Sequence, residues 1–420
     1  MRIEGKNLGV EEVSRAYGRK GVRKLLHALL PEGVYDRLRG TRSQLVSSPL
    51  GRRISLVGAA YLSFMSQSRL LSGMHYAFFS REFDREHGSV LAARARHIRD
   101  LYAGRGNLYM LRRNVHRLEK GLIMKPPRPI FGLDKIGETV LAYGACLRQL
   151  DRGDEDVRTS LEWAKCVLES YFQRVVDHPV VSDARTKFLA VEASKKLEVD
   201  TARVPFVRVT PPNLPTIQQL EALARYRRSV RWFADKPVPR DVIDRAMRIA
   251  LESPSACNRQ PFRYEIFDQH ELVQKVGAVP KGTPGWLHQI PCFIVIIGKL
   301  DAFRFERDRH VPYVDGCLSA MGLIYGLEVQ GVSSCCVNFP DLAETEKRMA
   351  EVLDLPPWER AIMCLAVGYP DVEEKVPYSQ KFPLEFARRY NFERVLDSVP
   401  ASGVDVNRAS EQLDIGGAVE

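Results

Sequence analysis

Residues Arg227 to Phe233 read RRSVRWF, with three arginines and a serine within five positions, just ahead of two aromatics. Guanidinium groups bind phosphate bidentately, and a serine hydroxyl adds a short hydrogen bond. The same composition also suits a solvated charge run, so a second stretch is needed to decide between them. Ser253 to Phe262, SPSACNRQPF, supplies it. Serine, proline and asparagine resist helix, so this is a turn leaving the helix that ends near Leu251. It offers a hydroxyl, two carboxamides and exposed backbone groups. Carboxamides can pair with the donor and acceptor edge of a heteroaromatic ring.

Working outward, Ile217 to Tyr226 and Pro239 to Leu251 have helical spacing. Arg263 to Asp268, Cys292 to Gly298 (CFIVIIG) and Ala361 to Val367 read as strands, the second apolar enough to be buried on both faces. Gly316 to Gln330 is a long apolar helix. Strands mixed with helices, with few short βαβ units, predict an α+β fold: a central sheet flanked by helices. Upstream, Leu161, Ala164, Val167, Leu168 and Tyr171 keep a helical period, as do Leu25, Leu26, Leu29 and Leu30. A mostly α-helical N-terminal domain over residues 1–200 follows. Residues 201–216 carry four prolines and read as a linker. The sheet domain then spans 217–392, and 393–420 is a loose tail.

The two opening stretches, in this order and with a helix between them, resemble the FMN-dependent nitroreductase family. RRSxRxF is matched by Arg227, Arg228, Ser229, Arg231 and Phe233. SPSxxNxQPW is matched by Ser253, Pro254, Ser255, Asn258, Gln260 and Pro261, with Phe262 in place of tryptophan. The resemblance covers about residues 216–392. It implies a nitroreductase-like sheet and FMN held through Arg227, Arg228 and Ser229, with Arg231 facing the pyrimidine edge of the flavin. A cation there stabilises the charge of the reduced ring. Pro254, Ser255, Asn258 and Gln260 would line the cofactor, from the second subunit or at the ring edge. The helix after Asp315 would form much of an intertwined homodimer, with Ala320 and Gly326 allowing close packing there. Asn338 would stand near flavin N5. Lys381 would complete the phosphate site, although Ser379 replaces a second basic residue.

The activity so implied is an FMN-dependent oxidoreductase that moves electrons from NAD(P)H to a small-molecule acceptor in a ping-pong cycle. The flavin does the chemistry, so no side chain is named as general acid or nucleophile. Two other readings stay open. One is a dehydrogenase, oxidase or reductive dehalogenase of the same fold acting on a biosynthetic intermediate. The other is a non-catalytic flavin- or anion-binding scaffold. The segment Gly298 to Tyr313 is peculiar to this chain and reads as a lid.

Positive charge sits in the N-terminal half: residues 1–200 hold 35 Lys and Arg against 23 Asp and Glu, whereas the rest is slightly acidic. That half could therefore draw in an acidic partner or an anionic membrane surface. Its densest polar stretch is Asn114 to Gly132. There His116 and Glu119 lie one turn apart but find no further ligand, so no metal site is expected, and Gly121 reads as a helix C-cap. The loop around Arg128 and Phe131 is stiff enough to reach a neighbouring site. The eight cysteines lack CxxC spacing, and Cys335 and Cys336 are adjacent, which suits free thiols in a reducing cytoplasm. The polar start argues against a signal peptide. Ile54 to Met65 is too short to span a bilayer and reads as a buried helix.

Overall fold

The computed structural model describes residues 49–391, apart from 81, 103–105, 151–152, 154 and 196. The Leu25 to Leu30 stretch and the tail from 393 lie outside the described residues. The chain falls into two compact units, Met1–Ala92 and Ala93–Glu420.

In the first unit, α1 (Pro49–Met65) and α2 (Arg69–Met74) are helical. The stretch from Ile54 is helical as expected but not buried: Leu56, Val57, Leu62 and Phe64 are all exposed, and Met65 is covered. Among the described residues no helix is long and apolar enough to cross a membrane.

The second unit begins within α3 (Asp84–Tyr102) and continues through α4 (Leu108–Leu122), α5 (Ile136–Leu150), α6 (Arg158–Arg174) and α7 (Pro179–Ser194). The predicted period is realised in α6, where Leu161, Ala164, Val167, Leu168 and Tyr171 are all fully buried. With Leu111, Val115 and Leu118 of α4 and Val140 and Tyr143 of α5 they form one continuous apolar core. Residues 201–216 have no regular structure and leave Phe206, Val207 and Val209 exposed.

The sheet follows. Thr216 and Gln219 close a capping box that starts α8 (Ile217–Tyr226), and α9 (Arg240–Leu251) precedes β1 (Phe262–Phe267). After α10 (His270–Gly277) come β2 (Cys292–Lys299), α11 (Val311–Glu328), β3 (Ser333–Val337), α12 (Ala343–Leu353) and β4 (Glu359–Gly368). The four strands are all antiparallel, in the order β1-β2-β4-β3. β2 is central and buried along nearly its whole length, which is why it carries no alternation. Helices cover both faces. Val273, Phe293, Val295 and Met349 pack on one side, and Ala246, Ile294, Leu323 and Leu327 on the other.

Gly322 and Gly326 let α11 lie close against α9. A Cβ at Gly326 would stand 2.9 Å from the Ala246 Cα, and one at Gly322 would stand 3.1 Å from that of Ala250. Ala320 is buried in the same core. Of the two small residues expected at a dimer interface, Gly326 therefore faces the chain's own neighbouring helix and Ala320 is covered by the chain's own core.

Candidate functional site

The RRSVRWF stretch is not a helix face. It leaves α8 at Arg227 and runs beside the edge strand β3, where Ser229 bridges Ser334 in parallel and the Val230 N–H donates to the Ser334 carbonyl at 3.1 Å. Phe233 is buried and bridges Pro370 beyond the end of β4. Gly368 makes room for it, since a Cβ there would come within 2.8 Å of the Phe233 ring. Gln289 acts as a substitute strand. Its Oε1 accepts from the Phe233 N–H at 2.7 Å, and its Nε2 donates to the Arg231 carbonyl. Nothing in the local sequence around Gln289 announced that role.

This course exposes the side chain of Arg231 and half-buries those of Arg227, Arg228 and Ser229. The Arg227 Nε is buried and has no hydrogen-bond partner among the described residues. Nearby, Glu328 accepts from the Ser333 hydroxyl at 3.2 Å, and burial pushes its carboxyl up to about 7. Arg228 donates to the Tyr378 carbonyl at 3.3 Å, which ties the segment leading to Lys381 to the same edge. Asn338 and Lys381 are exposed. Asn338 follows directly on β3, and Gly282 approaches its backbone so closely that a Cβ would come within 2.9 Å of the Asn338 nitrogen. A pocket of about 230 Å³ opens here among Tyr226, Arg228, Arg231, Trp232 and Ser333. Exposed cations, a hydroxyl and an orphaned guanidinium nitrogen make a donor set suited to the phosphate of a flavin nucleotide.

The second set stands elsewhere. Ser255 caps a short 3-10 turn, Ala256–Asn258, and its hydroxyl accepts from the Gln260 N–H at 3.1 Å. Cys257, Asn258 and Gln260 all have positive φ, near 50°, a conformation that side-chain-bearing residues adopt only when neighbours hold them. Two neighbours do so. Asp315 of α11, buried and with its carboxyl raised by burial, accepts from the Ala256 N–H at 3.0 Å. Arg112 of α4 reaches in from the helical half. Its Nε donates to the Asn258 carbonyl at 2.7 Å and one Nη to Gln260 Oε1 at 3.1 Å. The other Nη donates to the Ser160 hydroxyl at 2.7 Å, and the guanidinium lies 5.4 Å from the Trp163 ring centre. Sequence reasoning looked to Arg128 and Phe131 for this reach and missed Arg112, one arginine among many.

In a single chain the two sets do not meet. Pro261 pairs with Lys299, beside the Glu359 end of β4, whereas Ser229 lies across β3 from Val367 at the other end. Eight residues of strand and at least three strand spacings separate them, roughly 25 Å or more on the sheet diagonal.

The segment between Gly298 and Tyr313 is folded down as two short 3-10 turns, Leu300–Ala302 and Glu306–Asp308. Arg94 donates to the Arg304 carbonyl at 3.2 Å and pairs with Glu306, and the His97 ring meets the Asp301 carbonyl at 2.8 Å. His116 and Glu119 pair at 3.7 Å, and among the described residues no group of three or more His, Cys, Asp or Glu converges as a metal site. Cys335 and Cys336 are free thiols, both raised by burial.

Residues 224–282 and 269–369 match the model of the Nitroreductase family. The C-terminal half is therefore a nitroreductase-type domain, with the helix-flanked antiparallel sheet described above. Among curated relatives, an iodotyrosine deiodinase from Nematostella vectensis is 25% identical over 190 residues, 38% of this chain and 70% of that protein. An iodotyrosine deiodinase from Thermotoga neapolitana is 25% identical over 197 residues, 42% of this chain and 99% of that protein. A solved FMN-dependent nitroreductase from Clostridium difficile R20291 aligns with a TM-score of 0.35 at 22% identity, covering 40% of this chain and 97% of that one.

Proposed function

We propose that the protein is an FMN-dependent oxidoreductase that takes reducing equivalents from NAD(P)H, and that its working form is a homodimer. The observation that carries the cofactor reading is the buried, unpartnered Arg227 Nε inside the matched RRSVR stretch at the sheet edge. FMN, when bound, accepts hydride from the nicotinamide and passes electrons to a second substrate. Arg227 and Ser229 would grip its phosphate, with Arg228 and Lys381 adding charge. Arg231 would set a cation at the ring's pyrimidine edge, where negative charge is stabilised. Asn338 would stand by the ring. Pro254, Ser255, Asn258 and Gln260 would come from the second copy, because the diagonal separation keeps them from a cofactor held by the first.

Apolar surface supports the dimer. α11 presents Val314, Leu318 and the adjoining Val329 on an exposed row, and Tyr378, Phe382 and Phe386 stand exposed along the C-terminal segment. Exposed apolar side chains in such numbers suit an interface. In this reading residues 1–200 are a helical domain joined through the 201–216 linker, working in a reducing cytoplasm.

A second reading keeps the same site and changes the acceptor. The relatives named iodotyrosine deiodinase favour a reductive dehalogenation, in which two electrons and a proton replace a carbon–halogen bond by carbon–hydrogen and release halide.

Purified protein mixed with FMN should retain a yellow chromophore that NADH or NADPH bleaches anaerobically. Turnover on quinones, nitroaromatics and iodotyrosine then separates the acceptors. Absence of flavin binding at micromolar concentration overturns the reading, and bleaching without turnover on any acceptor leaves a flavin-binding scaffold.

A further inference from the structure

The stretch Asn114 to Gly132 has no part in the site above, yet it builds a pocket of its own. Arg113, Arg117 and Lys120 recur at intervals of four and three and so share one face of α4. The chain then turns through three prolines and comes back against that helix. The ring of Phe131 lies over Gly121, where a Cβ would stand 2.2 Å from Phe131 Cε2. Gly121 is therefore not a C-cap, since α4 runs on to Leu122; its missing side chain admits the ring.

The returning loop is pinned. Tyr171 donates to the Phe131 carbonyl at 2.7 Å and meets its ring edge-on at 5.1 Å. The Val176 N–H donates to the Pro129 carbonyl at 3.0 Å. Gly132 takes φ +69° with its Cα turned toward Leu118. The result is a preformed pocket of about 250 Å³.

Its chemistry is lopsided. The wall carries Arg117, Lys120, Arg128 and Lys135 against one carboxylate, Asp134, which Lys135 already pairs with at 2.7 Å. Arg117, Lys120 and Arg128 have no ion-pair partner among the described residues. The nearby acids are committed elsewhere: Glu119 to Trp163 and His116, and Glu138 to Arg113 and Asn114. The floor is apolar, made by Leu118, Met124 and Phe131.

We propose that this pocket binds a small organic phosphate monoester, its phosphate among Arg117, Lys120 and Arg128 and its apolar body on Phe131. Three cations without ion-pair partners favour a dianion over a monoanion, and guanidinium forks match phosphate oxygens. A monocarboxylate would leave more charge uncompensated, and an inorganic ion would leave the aromatic floor unused. The volume takes one phosphate with about one ring. The binding does not depend on the flavin reading.

Titrating the full chain calorimetrically with phenyl phosphate tests this, with inorganic phosphate and benzoate as comparators. A saturable site separate from the Arg227 edge is expected, binding phenyl phosphate about tenfold more tightly than either comparator. Arg128→Gln and Lys120→Gln should each weaken it about fivefold or more, and added salt should weaken it further. Phe131→Leu should lower the affinity for phenyl phosphate toward that for inorganic phosphate. Arg227→Ala, at the sheet edge, should leave phenyl phosphate binding intact. Lack of saturable binding at millimolar concentration overturns the proposal. So does benzoate binding as tightly, or binding lost with Arg227→Ala but kept in Arg128→Gln.

Discussion

The Arg112 guanidinium donates to the Asn258 carbonyl at 2.7 Å, across 146 residues of sequence. With its bonds to Gln260 and Ser160 it locks the strained turn of the SPSACNRQPF loop onto the helical half. Burial holds the Arg112 pKa below its usual value, so the charge sits in a partly dry setting where its hydrogen bonds count for more. Arg112→Ala should cost on the order of 2–3 kcal/mol and free the loop. The measurement is thermal unfolding together with amide exchange at Cys257 to Gln260, where protection should fall first. Arg112→Lys should not rescue it, because one ammonium cannot serve three acceptors in a planar fork.

Arg227→Ala should weaken FMN binding by roughly 2–4 kcal/mol, the range for losing a partly buried, charged phosphate contact. Arg228→Ala should matter less, since one of its Nη atoms is already spent on Tyr378. Flavin fluorescence titration of both variants checks this. Equal losses would mean the phosphate sits differently along the stretch.

Asp301 has a buried Oδ1 with no hydrogen-bond partner among the described residues, and burial raises its carboxyl to about 6. Its folded pKa lies above the unfolded value near 3.8, so its protonated form favours the fold. That stability is fully present below about pH 4 and is lost as pH rises through about 6. Asp301→Asn should therefore stabilise the protein at pH 8 by on the order of 1–3 kcal/mol and do little at pH 4. Denaturant unfolding across that range reads the difference, and equal effects at both pH values would refute the assignment.

Leu318 lies on the exposed row of α11. If that row meets a second copy, Leu318→Glu should shift sedimentation from dimer to monomer and lower flavin affinity at the same time. The coupling is the informative part, since the Ser255 loop and Arg227 stand too far apart to share a cofactor within one chain. A wild-type monomer that holds FMN at full affinity would contradict the shared site.

Local periodicity carried much of the fold. The run Leu161 to Tyr171 could bury one face only as a helix, Ile217 to Tyr226 kept the helical spacing of α8, and CFIVIIG could only be an interior strand. The order of the two motifs located the nitroreductase-type domain. β3 was not legible, because Ser333 to Val337 (SSCCV) has little strand pattern of its own and becomes a strand by pairing with β4. The packing roles of Gly121, Gly322 and Gly326 were equally hidden, since a glycine does not say which neighbour will fill the space it leaves. Arg112 and Gln289 were beyond reach for the same reason. A sequence shows which face of an element is apolar and which residues can donate or accept. What covers that face, and which carbonyl meets which guanidinium, depends on chain segments brought together from far apart, and that was settled by tertiary packing.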